Sequence, residues 1–314
     1  MNVLGDDGII KEVLLDYNDI IEKISDIVDK NYKNSHFVKP LKYDGSYSNL
    51  VENMPYIFYR GHSNYTWFLE PSINRNRTNH SRKEIKILKE VKEENFNLNY
   101  KDIIAMAQHN GKPTRAIDFT YDLKVALFFA CYDLKEGKID EENDGALYVC
   151  GYSPHCENFI SSKIINWLAF YENDIMDKNQ LSEYMMSNSE IKKYYEDKGN
   201  MIDNLLLDVN SYLKYGFMIV YDKEKIKHNE KLIKQSGSLF YCGSYFYVGN
   251  KKIKKNKRIK KINYASIESK YIIHPHNIVN PSWINSMCIK IKIPKEFKKE
   301  IYSQINVTKE SLGL

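Results

Sequence analysis

Gln108-His109-Asn110-Gly111-Lys112-Pro113-Thr114-Arg115-Ala116-Ile117-Asp118-Phe119-Thr120, followed by Ala126-Leu127-Phe128-Phe129-Ala130, is the stretch that decides how this chain is read. Gln108 and His109 end a helix, Gly111 permits a left-handed turn there, and Pro113 stiffens the residues after it. The turn is predicted to run from Gly111 to Thr120 and to lead into a buried helix over 121–134. Thr114 offers a hydroxyl, Arg115 a guanidinium fork and Asp118 a carboxylate. His109 titrates near neutral pH and suits an acid or a base. Asp118 and Thr120 fit equally well as an N-cap pair for the following helix, without any chemistry. The dense polar cluster of Gln108, His109, Thr114 and Arg115 fits that plainer reading less well.

Upstream, Tyr56-Ile57-Phe58-Tyr59 reads as a short buried strand that delivers Arg60-Gly61 into a second turn. Arginine supplies a planar, always-charged fork for phosphate or carboxylate, and glycine lets a backbone approach a ligand closely. Pairing of Arg60 with an internal acid such as Asp118 is the alternative. The two turns read as opposite walls of one polar site.

A chain of 314 residues can bury a sizeable core, as one large domain or two small ones. Its 43% hydrophobic and 28% charged content fits a globular protein, and no apolar run is long enough to span a bilayer. The start, Met1 to Asp7, is acidic and lacks a basic-then-apolar leader. Five scattered cysteines without a CxxC pair argue against a disulfide framework or a zinc ribbon. A cytoplasmic protein without a membrane partner is the expectation. Net charge is only +5, yet Lys251 to Lys261 carries eight cations and no acid. Within this run Lys254, Lys255, Lys257 and Arg258 are candidate contacts to nucleic acid, and a solvated hairpin or loop over 250–262 is the alternative.

Apolar spacing predicts an amphipathic opening helix over 9–31, extended chain at Trp67–Ser72, and helices over 82–98 and from a cap at Asp102. Strands are predicted at Ala146–Cys150, Phe217–Val220, Ser238–Cys242, Tyr245–Val248, Tyr271–Ile273 and Met287–Ile291, and a last helix after Pro294. Residues 161–208, poor in Gly and Pro, read as a helical insertion. Strands separated by irregular helical stretches point to an α+β fold with mixed or antiparallel sheets and flanking helices. Residues 1–50 are set apart as an N-terminal helical segment and 51–314 as the main domain. Cys150 and Cys156 with His155 lack a fourth metal ligand, and His274-Pro275-His276 reads as a polar turn. No GxGxxG, Walker A, HExxH or GxSxG pattern occurs.

Tyr59-Arg60-Gly61, the Gln108–Thr120 block and Ala126–Ala130 resemble the FRG domain, named for its (F/Y)RG motif. Gln235-Ser236-Gly237-Ser238-Leu239-Phe240 resembles the family's later Gln-x-Gly-x-Phe element, and Val307 to Leu312 its closing element. A Phe-Pro-Asp-Leu-type continuation is expected there, so that element reads as shortened. The resemblance implies a bacterial or phage gene neighbourhood concerned with conflict, hence an effector or toxin-like role, antiviral defence, and a protein partner or antitoxin. More distantly, the order Arg60, Thr114, Gln235 resembles the Arg…Ser/Thr…Glu order of ADP-ribosyltransferases, which implies an ADP-ribosyltransferase-like core. By that likeness Arg60, Gly61, Thr114 and Arg115 bind NAD or a related nucleotide as substrate, and His109, Asp118 and Gln235 serve the chemistry. Glutamine cannot supply the carboxylate that steadies an oxocarbenium-like transition state, so Asp118 or Glu230 would have to. No metal is expected. The alternatives are a non-catalytic sensor of nucleotide or nucleic acid, and a metal-independent nuclease using His109.

Overall fold

A computed structural model of the chain describes residues 3–4, 10–13, 16–27, 57–75, 83–98, 100–152, 155–156, 160–197, 201–221, 230–248, 271–279 and 288–314. The basic run, with Lys254, Lys255, Lys257 and Arg258, lies outside the described residues. The chain opens with β1 (Val3–Leu4), β2 (Ile10–Val13), α1 (Tyr17–Ile27), β3 (Ile57–His62), α2 (Ser72–Arg75), α3 (Lys83–Glu94) and α4 (Tyr100–His109). It continues through β4 (Ala116–Thr120), α5 (Leu123–Cys131), β5 (Tyr132–Asp133), β6 (Lys138–Ile139), β7 (Gly145–Gly151) and β8 (His155–Cys156). A helical block comes next: α6 (Ile160–Ala169), β9 (Met176–Asp177), α7 (Lys178–Met186), α8 (Ser189–Glu196) and α9 (Met201–Tyr215). The remainder is β10 (Phe217–Val220), α10 (Glu230–Lys234), β11 (Gly237–Tyr241), β12 (Ser244–Val248), β13 (Tyr271–Ile278), β14 (Cys288–Ile293) and α11 (Lys298–Ile305).

The fold is α+β. A nine-stranded sheet runs in the order β1-β2-β14-β7-β3-β4-β11-β10-β8, antiparallel except where β2 meets β14 and β8 meets β10. A three-stranded antiparallel sheet, β12-β13-β9, and the β5-β6 hairpin accompany it. Every residue of β7 is buried, as expected of a central strand covered on both faces. One apolar cluster joins α1, α5 and α11 to β7 and β14. A second joins the helical block to α3, α4, β10 and β11, so residues 160–215 share a core with the sheet.

Helix α5 sits where it does because two small-residue contacts let it. A Cβ at Gly61 would collide with the Ala126 carbonyl and the Ala130 amide, and one at Gly145 with the Ala130 carbonyl. Gly61 on β3, Gly145 on β7 and the two alanines one helical turn apart thus bring helix backbone down onto sheet backbone. The remaining α5 residues are mostly apolar and buried, as for a helix surrounded by protein.

Several expectations are corrected. The opening stretch is not one helix: Ile10–Val13 is a strand paired in parallel with β14, and α1 begins at Tyr17. Ile and Val spacing there suits either element, and the free side of β14 decides it. The turn ends earlier than Thr120, since Ala116–Thr120 is β4, hydrogen-bonded to β11 along its whole length. Asp122, not Asp118 with Thr120, is the N-cap of α5, accepting the Lys124 amide. Asp102 lies inside the first turn of α4 rather than at its cap. His274-Pro275-His276 is strand, and the β12–β13 register shifts there between Ser244 and Tyr245, bypassing the proline that has no N–H to give. Cys150 and Cys288, directly opposed on β7 and β14, form a disulfide that the cysteine spacing did not suggest.

Candidate functional site

Strands β3 and β4 are neighbours that pair through one residue couple, Tyr59 with Thr120. Beyond it they part, and side chains take over from the ladder. Arg60 Nη1 donates to the Asp118 carbonyl at 2.5 Å and lies 3.7 Å from its Oδ2. Arg60 Nε donates to His62 Nε2 at 2.8 Å. Residues two apart on a strand share a face, so Arg60 and His62 emerge together. Because Nε2 accepts, the His62 proton sits on Nδ1, and the ring is neutral. Burial, then the charges of Arg60, Arg75 and Lys290, hold its pKa well below the usual histidine value. The Trp67 carbonyl favours the charged ring slightly without reaching hydrogen-bond geometry, so Nδ1 stays unpartnered.

Asp118 is held from a second side. Thr114, buried, accepts the Ala116 amide on Oγ1 at 3.1 Å and donates to Gln108 Oε1 at 2.5 Å. That fixes the Gln108 amide, whose Nε2 donates to Asp118 Oδ2 at 2.7 Å. The side chain of Arg60 is 15% exposed and that of Asp118 55%, so the carboxylate is fixed yet open to solvent. His109, half-buried, closes the same end of α4. Burial and then Lys231 lower its pKa against an opposing pull from Asp118, which keeps it neutral near pH 7.

These groups line a cleft of 820 Å³. Arg60, Gly61, His109, Asp118 and Gln235 all face it, together with His62, Arg75, Trp67, Phe68, Phe129, Lys231 and the hairpin residues Asp133 to Lys135. Its size is within the range of pockets that enclose small organic ligands. The Gln235 carbonyl accepts the Thr120 hydroxyl at 2.7 Å, and its amide Nε2 donates to the Leu312 carbonyl at 3.3 Å. Ser236, at φ 45°, then turns the chain into β11. Glu230 does not line the cleft; it stands 3.7 Å from Lys234 on the surface of α10.

Two predicted site residues lie elsewhere. Arg115 is fully buried and clamped by Glu84, which accepts its Nε at 2.9 Å, its Nη2 at 2.6 Å and its backbone N–H at 2.7 Å. Nη1 also donates to Ser244 Oγ, and Nη2 to the Pro275 carbonyl. The fork that suggested a ligand therefore ties α3, β4 and the smaller sheet together. Thr114 is buried behind Gln108 and has no access to the cleft except through it. Gly61 does allow a close approach, but the backbone it admits is that of α5.

The residues that sequence reading passed over are His62, Arg75 and Trp67. His62 carried a signal, since it stands two positions after Arg60 on the same strand. Arg75 and Trp67 reach the cleft only through the folding of the 63–75 segment. Among the described residues no three His, Cys, Asp or Glu side chains gather as a metal-ligand group, and no helix is long and apolar enough to cross a membrane.

Neither curated proteins nor solved structures give a significant match to the chain. The model of one protein family, the FRG domain, matches residues 55–138. That span takes in β3 with its Tyr59-Arg60-Gly61, the Gln108–Thr120 block and all of α5, the elements that build the cleft's central walls. Over residues 55–138 the chain matches the FRG domain, and Arg60 and Gly61 lie within that span.

Proposed function

We propose that the cleft binds NAD or a related nucleotide and transfers or cleaves its ribosyl unit, in the manner of an ADP-ribosyltransferase, as a bacterial effector or toxin-like protein in conflict with phage. The observation that carries this reading is the Arg60–Asp118 pair: a cation and a fixed, solvent-open carboxylate facing one cleft. Arg60 would hold a phosphate or ribose oxygen of the nucleotide. The glycosidic C–N bond would break with its electron pair leaving on the nicotinamide ring, which departs neutral. Asp118 would lie against the positive charge that develops on the ribosyl carbon, the role that Gln235 cannot fill. Water or an acceptor group then attacks that carbon, and its proton passes to neutral His109. Pre-fixing of Asp118 by Gln108 and Arg60 means little reorganisation is needed as charge appears.

Incubating the purified protein with labelled NAD and cell extract tests this. Nicotinamide release or label transfer is expected, and Asp118→Asn should lower the rate by about 100-fold or more. Wild-type protein that releases no nicotinamide and labels nothing overturns the enzymatic reading.

The eight cations of Lys251–Lys261 favour a second reading, a non-catalytic sensor that docks nucleic acid. It predicts salt-sensitive binding that weakens when this run is neutralised and is untouched by Arg60→Ala.

A further inference from the structure

Trp67 and Phe68 stand 48% and 74% exposed where they line the cleft. Large apolar side chains left in water beside a pocket are informative, because folding ordinarily buries them. The loop that carries them is held firmly. Lys298, fully buried, donates Nζ to the Ser63 carbonyl at 2.7 Å. Lys290, also buried, donates to the carbonyls of Tyr65 at 2.6 Å and Trp67 at 3.4 Å, and Tyr148 Oη donates to the same Trp67 carbonyl at 2.9 Å. The Tyr65 amide in turn donates to the Asp144 carbonyl at 2.6 Å. Taking two ammonium groups out of water is costly. What that arrangement secures is the backbone course of residues 63–67, and so the position from which Trp67 presents its indole to the cleft.

A second arginine faces the same cleft. Arg75, at the end of α2, lines it and has no hydrogen-bond or ion-pair partner among the described residues. It stands close enough to Arg60 and His62 to press down the pKa of both. His62 adds a buried ring whose Nδ1–H is unpartnered. An aromatic rim beside Arg75, a cation without an ion-pair partner among the described residues, complements a molecule with one flat π-face and one anionic end.

We propose that Trp67, supported by Phe68, is a stacking platform for the planar base of a nucleotide whose phosphate is taken by Arg75 beside Arg60. This rests on the reading that the cleft takes a nucleotide, and extends it by assigning which residues grip which end. The ribosyl chemistry is not needed for it.

Calorimetric titration of the full chain with ADP and with inorganic pyrophosphate tests the assignment. Trp67→Ala should weaken ADP binding by about 5- to 150-fold, the effect of losing one base–aromatic stack, and leave pyrophosphate binding unchanged. Trp67→Phe should restore most of the loss, and Arg75→Ala should weaken both ligands alike. ADP, but not pyrophosphate, should also quench the wild-type indole fluorescence, a readout independent of how the alanine variant folds, and Trp67→Phe should abolish the quenching. Equal ADP affinity in wild type and Trp67→Ala, or no quenching by ADP, overturns the platform while leaving a nucleotide-binding cleft in place. Wild-type protein that binds neither ligand overturns the nucleotide reading and the platform with it.

Discussion

Gly61 is the clearest case of one residue whose type is dictated by a neighbour's backbone. Its place beside Arg60 invites a ligand-centred reading, yet the missing Cβ makes room for the Ala126 carbonyl and the Ala130 amide of α5. Gly61→Ala should therefore destabilise the protein by about 3 kcal/mol, measured by urea denaturation, because backbone on both sides leaves little to relax. Unchanged stability with weakened ligand binding would return the glycine to the ligand. Internal partners likewise separate the Thr114 hydroxyl and the Arg115 guanidinium from the cleft. Each is satisfied inside the protein, Thr114 by Gln108 and Arg115 by Glu84. Side-chain type alone cannot tell an arginine that waits for an anion from one that already has it.

Among the elements, the parting of β3 and β4 makes the site. A single paired couple succeeded by side-chain bridges leaves a crevice in an otherwise continuous sheet, and Asp118 projects there from the middle of β4. The sequence pattern reads this segment as a turn because Ala116-Ile117-Asp118-Phe119-Thr120 is short and preceded by Gly and Pro. Its pairing partner, β11, lies far along the chain, beyond the reach of local spacing. A second element-scale device is the Glu84–Arg115 pair, which fastens α3 to the start of β4 and to β13. Glu84→Gln leaves the Arg115 charge buried without its counter-ion and should cost about 3–5 kcal/mol of stability, again read by urea denaturation. A loss below about 1 kcal/mol would mean that water or another acid reaches Arg115.

Across the whole molecule, burial sets how the protein responds to acid. His62 and His109 in the cleft and His274 and His276 on β13 share one feature: in each, burial is the main reason that the pKa lies below 6.5. The folded state thus resists protons that the unfolded chain accepts. Stability from these groups is complete above the unfolded value of 6.5 and is lost progressively as pH falls from there toward the folded values. Thermal melting tracked from about pH 8 down to about pH 5 should show a midpoint that is flat at first and declines below about pH 6.5. A midpoint that stays flat to about pH 5 contradicts burial of these rings as neutral species.

The chain's local chemistry determined the α+β class, most of the strands around the core and a helix after the Gly111–Thr120 block, because apolar periodicity and turn residues act over a few positions; the helix expected over 121–134 is Leu123–Cys131. It also brought Arg60, His109, Asp118 and Gln235 forward as one group, and these four do share a cleft. What only the tertiary structure decided is which polar groups are already satisfied, Arg115 by Glu84 and Thr114 by Gln108, and that Glu230 stands on the surface outside the cleft. It likewise decided that Arg75 and Trp67 join the site, and that Cys150 meets Cys288 across 138 residues of chain. Hydrogen bonds and ion pairs are completed between segments distant in sequence, so the difference between a residue that binds and one that braces exists only after the chain has folded.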